Sequence, residues 1–229
     1  MVDGDAGKSG GLPLLRPANL REQAKSLIHA QIVTGGVAPG QIYPVGHFSS
    51  QLGVSATPVR EALLDLANQG LVELVRNRGF RIVELSEGDL DEIFELRMIL
   101  EVHAIRQAVG RLSAADLASC VALAKENEAQ AVNRDLAGFL LSDRELHLRM
   151  LAPVANRRLV EFIAQLRDQV RLPGLRSLAD SGALTAAAQE HFGLVDALVS
   201  GSVEEAESRL RAHLQHTRGI WAGRTEPSG

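Results

Sequence analysis

Apolar positions along the chain recur every three or four residues, which is the spacing of one buried helix face. The first such stripe ends before Thr34-Gly35-Gly36, and its members are Leu20, Ala24, Leu27, Ile28 and Ile32. A second stripe follows Pro58, and its members are Val59, Ala62, Leu63 and Leu66. Beyond Leu85 the same period predicts helices at about 89–111, 114–133, 136–151, 185–200 and 203–220, with another that starts near Arg157 and is interrupted at Pro173-Gly174. The pattern predicts a mainly α protein whose C-terminal part is an all-α bundle of six or seven helices.

Two short segments depart from the helical period. Residues 71–75 and 80–83 are strand-like runs on either side of Arg76-Asn77-Arg78-Gly79. Because Asn and Gly tolerate positive φ angles, we predict a tight hairpin at this point. The domain prediction is therefore a small N-terminal unit at residues 17–85 and a helical unit at 86–222, with disordered tails at 1–16 and 223–229.

The residues just before the second apolar stripe have the pattern of a helix-turn-helix. A short helix ends at Gly53, and a second helix begins around Pro58, which fits a first turn because proline lacks an N–H. The hydroxyl of Ser55 or Thr57 can cap that turn. Since Thr57 and Arg60 point away from the apolar stripe, the start of this helix can offer hydroxyls and a guanidinium to a DNA groove.

This N-terminal unit resembles the winged helix-turn-helix of GntR-type transcription regulators over residues 17–85. The matching motifs, in order, are Pro39-Gly40, Leu52-Gly53-Val54-Ser55, Thr57-Pro58-Val59-Arg60-Glu61-Ala62-Leu63, Gly70-Leu71-Val72 and Arg78-Gly79. The resemblance implies a DNA-binding regulator without enzymatic activity. The expected contacts to a double-stranded operator come from Ser55, Thr57 and Arg60 on the second helix and from Arg76 and Arg78 at the hairpin. A single recognition helix reads only a few base pairs, so we expect a homodimer on a pseudopalindromic site.

Composition and charge narrow the classes of protein further. The chain has 229 residues, with 45% hydrophobic but only 3% aromatic residues, which favours packed helices. The formal net charge is −4, and residues 1–85 hold 8 basic and 7 acidic residues, so the motif rather than the charge supports DNA binding. There is no apolar run of membrane-spanning length and no secretory signal pattern, and the single cysteine, Cys120, suits a reducing compartment. We therefore expect a cytoplasmic protein with no membrane association.

Four residues of the helical unit form a candidate metal site. Asp143 and His147 are four residues apart on one helix and therefore share a face. His191 and His213 each lie on the apolar stripe of a later helix, so both are predicted to face inward. Three imidazoles and one carboxylate are a ligand set for a borderline divalent cation such as Zn²⁺ or Ni²⁺. His216, three residues after His213, is the competing ligand.

The spacing of these residues resembles the all-helical ligand-sensing (FCD) domain of the FadR-type branch of the GntR family. The matching features are Asp143, His147, Glu190-His191 and His213. The resemblance implies that they bind Zn²⁺, Ni²⁺ or a similar ion, and that a small carboxylate effector faces the open coordination positions. Arg97 and Glu101 match an Arg-x₃-Glu pattern of the same domain. Arg97 is therefore either a bidentate donor to the effector or the partner of Glu101 in an intrahelical salt bridge.

Two other interpretations of the histidine cluster stay open at this point. A metal-dependent hydrolase can use three histidines and an aspartate to activate water, but it would leave the helix-turn-helix unexplained. Alternatively, the protein is a regulator whose histidine cluster is structural and holds no metal.

Overall fold

The chain folds into an N-terminal part of helices and a small sheet, followed by a bundle of helices. The structure is a computed structural model that describes residues 17–170 and 179–221. The N-terminal elements are α1 (Pro17–Val33), β1 (Ile42–Tyr43), α2 (Val45–Leu52), α3 (Ala56–Asn68), β2 (Val72–Val75) and β3 (Gly79–Ile82). The helices of the bundle are α4 (Glu87–Ala108), α5 (Ala114–Asn133), α6 (Leu136–Met150), α7 (Arg157–Gln169), α8 (Ala183–Ser200) and α9 (Val203–Trp221). The predicted tails 1–16 and 223–229, and the predicted interruption at residues 173–174, lie outside the described residues.

The mainly α architecture predicted from the periodicity is confirmed. Within the part of the chain that the structure describes, six long helices follow the N-terminal part, and their bounds differ from the predicted ones by three residues or fewer. None of the described helices combines the length and the hydropathy that a bilayer crossing requires.

The N-terminal part has a hydrophobic core of its own. Helix α1 packs on α3, and the largest fully buried side chains here include Ile28, Phe48, Leu63 and Phe80. The turn between α2 and α3 is made at Gly53, whose φ of +65° is a conformation that glycine adopts without steric cost. The turn and the shared core fix α3 relative to α2 and leave the N-terminal end of α3 at the surface.

The sheet contains a strand that the sequence pattern did not reveal. The predicted hairpin is present as β2 and β3, and β1 pairs antiparallel with β3 on its other edge. Strand β1 has two residues, too few to show a period. It passes so close to the hairpin that a Cβ atom on Gly79 would overlap the carbonyl oxygen of Tyr43. The base of the hairpin is therefore held against the rest of the N-terminal part.

In the sequence, Ser86 and Ser113 each precede an aspartate by three residues, which is the spacing that predicts a capping box at the start of a helix. Ser86 with Asp89, and Ser113 with Asp116, form the reciprocal capping boxes that begin α4 and α5. The predicted hydroxyl cap of α3 is wrong in detail, because Ser55 occupies the N-cap position but its side chain makes no capping hydrogen bond. Its hydroxyl is exposed instead.

Helix α4 is apolar on several sides, a pattern that predicts burial between other helices. This expectation is wrong for one stripe of the helix: Leu96 and Ile99 are 41% and 58% exposed in the single chain. The opposite stripe, which includes Val102 and Ile105, belongs to the bundle core. Cys120 is also fully buried in that core, and burial raises the pKa of its thiol to about 11.

Candidate metal centre and DNA-binding surface

Four side chains from three helices converge at one point in the bundle. Ligand atoms of Asp143, His147, His191 and His213 all lie within 4.8 Å of one another. The Nε2 atoms of His147 and His191 are 3.3 Å apart, and Nε2 of His191 is 3.4 Å from Oδ1 of Asp143. The three imidazoles are buried, whereas the Asp143 side chain is 23% exposed. The structure thus brings together the four residues that the sequence analysis singled out.

The local sequence explains why each side chain faces this point. Asp143 and His147 are one turn apart in α6 and share its inner face. His191 precedes the buried Leu194 and Val195 of α8 by three and four residues, so it lies on the same buried face. The burial of His213 in α9 follows in the same way from the apolar stripe of that helix.

The electrostatic surroundings favour the protonation states that a metal requires. Burial lowers the pKa of the His147 imidazole well below its usual value, and the charge of Arg167 acts in the same direction. Burial also lowers the pKa of His213, despite its hydrogen bond to Glu190. Burial alone would raise the pKa of Asp143, but Arg167 and a hydrogen bond from His191 hold it well below the usual range. At neutral pH the lowered pKa values leave His147 and His213 as neutral imidazoles and Asp143 as a carboxylate, which are the ligand forms of these groups.

The residues present fit a divalent cation. The two facing Nε2 atoms of His147 and His191 cannot both carry a proton along the line that joins them, so at least one lone pair points into the cluster. The Nδ1 atom of His191 is buried and has no hydrogen-bond partner among the described residues. Three nitrogens and a carboxylate oxygen suit Zn²⁺ or Ni²⁺ better than Mg²⁺ or Ca²⁺, which prefer oxygen ligands.

Glu190 holds the outer side of the cluster, a role that the sequence analysis did not assign. Its Oε2 atom lies 2.7 Å from Nδ1 of His213, and its Oε1 atom contacts Nδ1 of His216. A carboxylate on Nδ1 leaves Nε2 of the same ring as the atom available to a metal. His216 is a partner of Glu190 and lies outside the group of four. The only sign of this role in the sequence is that Glu190 directly precedes His191. The packing of α8 on α9 shows that Glu190 contacts His213.

A buried ion-pair network lies beside the cluster. Oε1 of Glu101 accepts a 2.6 Å hydrogen bond from Nε of Arg97, and its Oε2 accepts one of 2.8 Å from Nη1 of Arg167. Nη2 of Arg167 donates to Oδ2 of Asp143 at 2.6 Å. Burial by itself would raise the pKa of Glu101, but the two guanidinium charges outweigh it and leave that pKa below its usual value. Of the two alternatives for Arg97, the salt bridge with Glu101 is present in this structure.

A cavity of about 70 Å³ reaches from the cluster to helix α1. Its polar lining includes Arg97, Asp143, Arg144, Arg167 and His213. Apolar side chains of α6 and α8 complete the wall, and His29 and Val33 of α1 also line it. Because Arg97 both pairs with Glu101 and lines this cavity, its salt bridge does not remove it from reach of a small ligand.

The predicted DNA-contacting residues lie on the surface of the N-terminal part. Ser55, Thr57 and Arg60 are exposed at the N-terminal end of α3, while Pro58 and Val59 are buried beneath them. At the hairpin, Arg76 and Arg78 are exposed in the turn between β2 and β3. Helix α3 therefore presents two hydroxyls and a guanidinium outward, as an element that enters a major groove must.

Comparison with known proteins agrees with both parts of the fold. Residues 20–82 match the family described as bacterial regulatory proteins, gntR family, and residues 92–216 match the FCD domain. The chain belongs to the GntR family of transcription regulators with an FCD domain. It is accordingly a DNA-binding transcription regulator and not an enzyme, and the hydrolase interpretation of the histidine cluster is withdrawn.

Several regulators resemble this GntR-family member over most of their length. The HTH-type transcriptional regulator McbR of Escherichia coli is 30% identical over 172 residues, which cover 75% of this chain and 77% of that protein. The Nta operon transcriptional regulator of Aminobacter aminovorans is 27% identical over 179 residues, covering 77% and 82%. The probable D-xylose utilization operon transcriptional repressor of Paenarthrobacter nicotinovorans is 30% identical over 203 residues, covering 87% and 88%.

Solved structures show the same fold. The structure of E. coli McbR/YncC superimposes with a TM-score of 0.80 at 27% identity and covers 89% of this chain and 97% of that one. A GntR regulator from Rhodococcus sp. RHA1 has a TM-score of 0.69 at 18% identity, covering 91% and 100%, which is a likeness of fold alone.

Proposed function

We propose that this regulator binds its operator through α3 and the β2–β3 hairpin, and that a small carboxylate effector bound beside a divalent metal ion modulates its operator affinity. The observation that supports the proposal best is the convergence of Asp143 and the three histidines at the end of an arginine-lined cavity. Asp143, His147, His191 and His213 would hold the ion, with Zn²⁺ or Ni²⁺ as the expected metals. The bound ion would supply a positive centre with open coordination positions, and Glu190 would orient His213 toward it.

The charges around the cavity favour an anionic effector. Three arginines near the cavity, Arg97, Arg144 and Arg167, are balanced by three carboxylates, Glu101, Asp143 and Asp168. When Glu190 beside His213 is counted as a fourth carboxylate, a bound divalent ion still leaves one positive charge without a partner in a largely buried space. Buried charge is costly unless it is paired, so a carboxylate is the class of ligand that fits best. Arg97 can meet it as a planar donor.

The exposed apolar stripe of α4 supports a homodimer. Leu96 and Ile99 lie on a helix that is otherwise packed in the bundle, and covering them would remove apolar surface from water. A dimer would present two copies of α3 to two half-sites of an operator, as paired helix-turn-helix domains commonly do. A regulator that binds operator DNA would act in the cytoplasm.

The decisive experiment has two arms. Untagged protein is analysed for bound metal, and double-stranded DNA is selected from a random pool with and without a panel of small mono-, di- and tricarboxylates. We expect a divalent ion at each cluster, a pseudopalindromic selected sequence and at least one acid that changes its affinity. Protein that carries no divalent ion and shows no thermal shift with added Zn²⁺ or Ni²⁺ would leave the histidine cluster as a purely structural feature.

A further inference from the structure

Three consecutive side chains at the C-terminal end of α7 reach three different parts of the molecule. Arg167 bonds to Glu101 and to Asp143 of the proposed metal site. Asp168 accepts a 3.0 Å hydrogen bond from Arg144. Gln169 extends out of the bundle to the N-terminal part. Successive residues of a helix are rotated by about 100° from one another, so a single turn can point at three neighbours at once.

Two of these side chains contact the DNA-binding part directly. Nε2 of Gln169 donates a 2.8 Å hydrogen bond to the carbonyl oxygen of Gln69, the C-cap residue of α3. Gly70 follows with a φ of +75°, and a Cβ there would lie 2.8 Å from the same Gln169 nitrogen. Oδ1 of Asp168 lies 3.5 Å from Nε2 of His29 on α1. The end of α7 is therefore in contact with both α1 and the end of the recognition helix.

The apolar cores of the two parts do not merge. Among the described residues, the buried apolar cluster of residues 17–82 contains no side chain of the bundle, and the bundle clusters contain no side chain of residues 17–82. The α7 contacts with α1 and α3, by contrast, are polar. A few hydrogen bonds hold a relative position far more weakly than a shared core does, because each one only replaces a hydrogen bond to water. Small changes at the end of α7 can therefore shift the position of the DNA-binding part.

The cavity reaches the same boundary. His29 and Val33 of α1 line it together with Asp143 and His213 at the other side. The helix that packs on α3 is thus also a wall of the space in which we place the effector.

We infer that Arg167, Asp168 and Gln169 are positioning residues that connect the metal site to α1 and α3, an inference that rests on the function proposed above. A metal ion bound at the site would hold the Asp143 carboxylate in one position, and the hydrogen bond from Arg167 to Asp143 would then hold the Arg167 side chain. The next two residues then fix α1 through Asp168 and the end of α3 through Gln169. The site and the DNA-binding surface are coupled by this one turn of helix, with α1 closing the cavity.

Hydrogen exchange with Zn²⁺ as the probe tests the connection in the full-length protein. At saturating Zn²⁺ we expect amide exchange to slow about fivefold or more in residues 20–33 and 66–71, as well as in the helices that carry the cluster. Gln169→Ala should abolish the slowing at 66–71 and keep it at 20–33. Asp168→Asn should abolish the slowing at residues 20–33 and keep it at residues 66–71. Glu161→Gln, on an exposed turn of the same helix, is the matched control and should behave as the wild type.

The possible results separate the two proposals. Wild-type protein that binds no Zn²⁺ overturns the proposed metal site and this connection together. Protein that binds Zn²⁺ with slowing confined to residues 87–221 overturns the connection alone. Variants of Asp168 and Gln169 that keep the full wild-type slowing show that the coupling runs through other residues, which also overturns the inference.

Discussion

Oε2 of Glu190 lies 2.7 Å from Nδ1 of His213, one of the three histidines of the cluster. A carboxylate in this position fixes the tautomer and the orientation of a metal-binding imidazole. Glu190 also contacts His216, so one carboxylate holds two rings of α9 from the adjacent helix. The position of the His213 ring in the cluster is therefore stabilised by a carboxylate that is not itself one of the four candidate ligands.

Glu190→Gln should weaken Zn²⁺ binding by about 10- to 100-fold, because the amide no longer accepts a charge-assisted hydrogen bond from His213. Competition with a chromogenic chelator measures the affinity. Glu204→Gln, an exposed substitution in the first turn of α9, should leave it unchanged. An unchanged affinity in the Glu190 variant would remove this residue from the site.

Arg60→Ala should weaken binding of the selected operator by about 10- to 100-fold, since a guanidinium that contacts base edges or phosphates contributes roughly 1–3 kcal/mol. The side chain is exposed, so helical content and dimerisation should stay as in the wild type. The control is Arg157→Ala, which removes a side chain that is 88% exposed on the bundle. Equal operator affinity of wild type and Arg60→Ala in a fluorescence anisotropy titration would argue against α3 as the recognition helix.

Ile99→Glu should convert a dimer into monomers, because it places a charge on the apolar stripe of α4 that we propose is covered by the partner. Sedimentation velocity measures the change. Val199→Glu makes the same change at a position that is 60% exposed on α8, and it should not alter the sedimentation coefficient. If both variants sediment as the wild type does, the α4 stripe is not the interface.

Gly79→Ala should destabilise the N-terminal part more than Gly53→Ala does. Both glycines have positive φ angles, which costs a non-glycine residue roughly 1–3 kcal/mol. At Gly79 the new Cβ would also overlap the Tyr43 backbone, whereas nothing lies within 4 Å of it at Gly53. Urea unfolding monitored by circular dichroism should show the larger loss for Gly79→Ala. Equal losses would mean that β1 adjusts to the added methyl group.

Asp168 should make the stability of the protein depend on acid pH. Burial alone would raise its pKa, but the His29 imidazole, 3.5 Å away, and the hydrogen-bonded guanidinium of Arg144 lower it below the usual value of 3.8. A carboxyl with a lowered folded-state pKa contributes its full stabilisation above its unfolded-state pKa and loses it as the pH falls through the folded-state value. Between about pH 4 and pH 2 the wild type should therefore lose more stability than Asp168→Asn does.

Urea midpoints at pH 6, 4, 3 and 2 measure this difference. Asp180→Asn removes a surface carboxylate that is 65% exposed, and its midpoints should fall in parallel with those of the wild type. A parallel fall for Asp168→Asn would mean that the ion pairs of Asp168 do not contribute to folding.

Local chemistry made much of the molecule predictable from the sequence. The capping boxes at Ser86 and Ser113, the helix around Pro58 and the hairpin before Gly79 each depend on neighbours within a few residues. Strand β1 escaped prediction because its partner, β3, lies almost forty residues further along the chain. The outward stripe of α4 was misjudged for a related reason, since apolar spacing does not indicate which neighbour will cover a face.

The sequence by itself determined the helix-turn-helix, the inward direction of Asp143, His147, His191 and His213, and the family resemblance, because periodicity fixes which face of a helix a residue occupies. Only the tertiary structure decided that these four side chains meet, that Glu190 and Arg167 hold them, and that Gln169 contacts the end of α3. The contacts made by Glu190, Arg167 and Gln169 join residues between 23 and 100 positions apart. The packing of whole helices, which no local pattern encodes, brings such residues within hydrogen-bond distance.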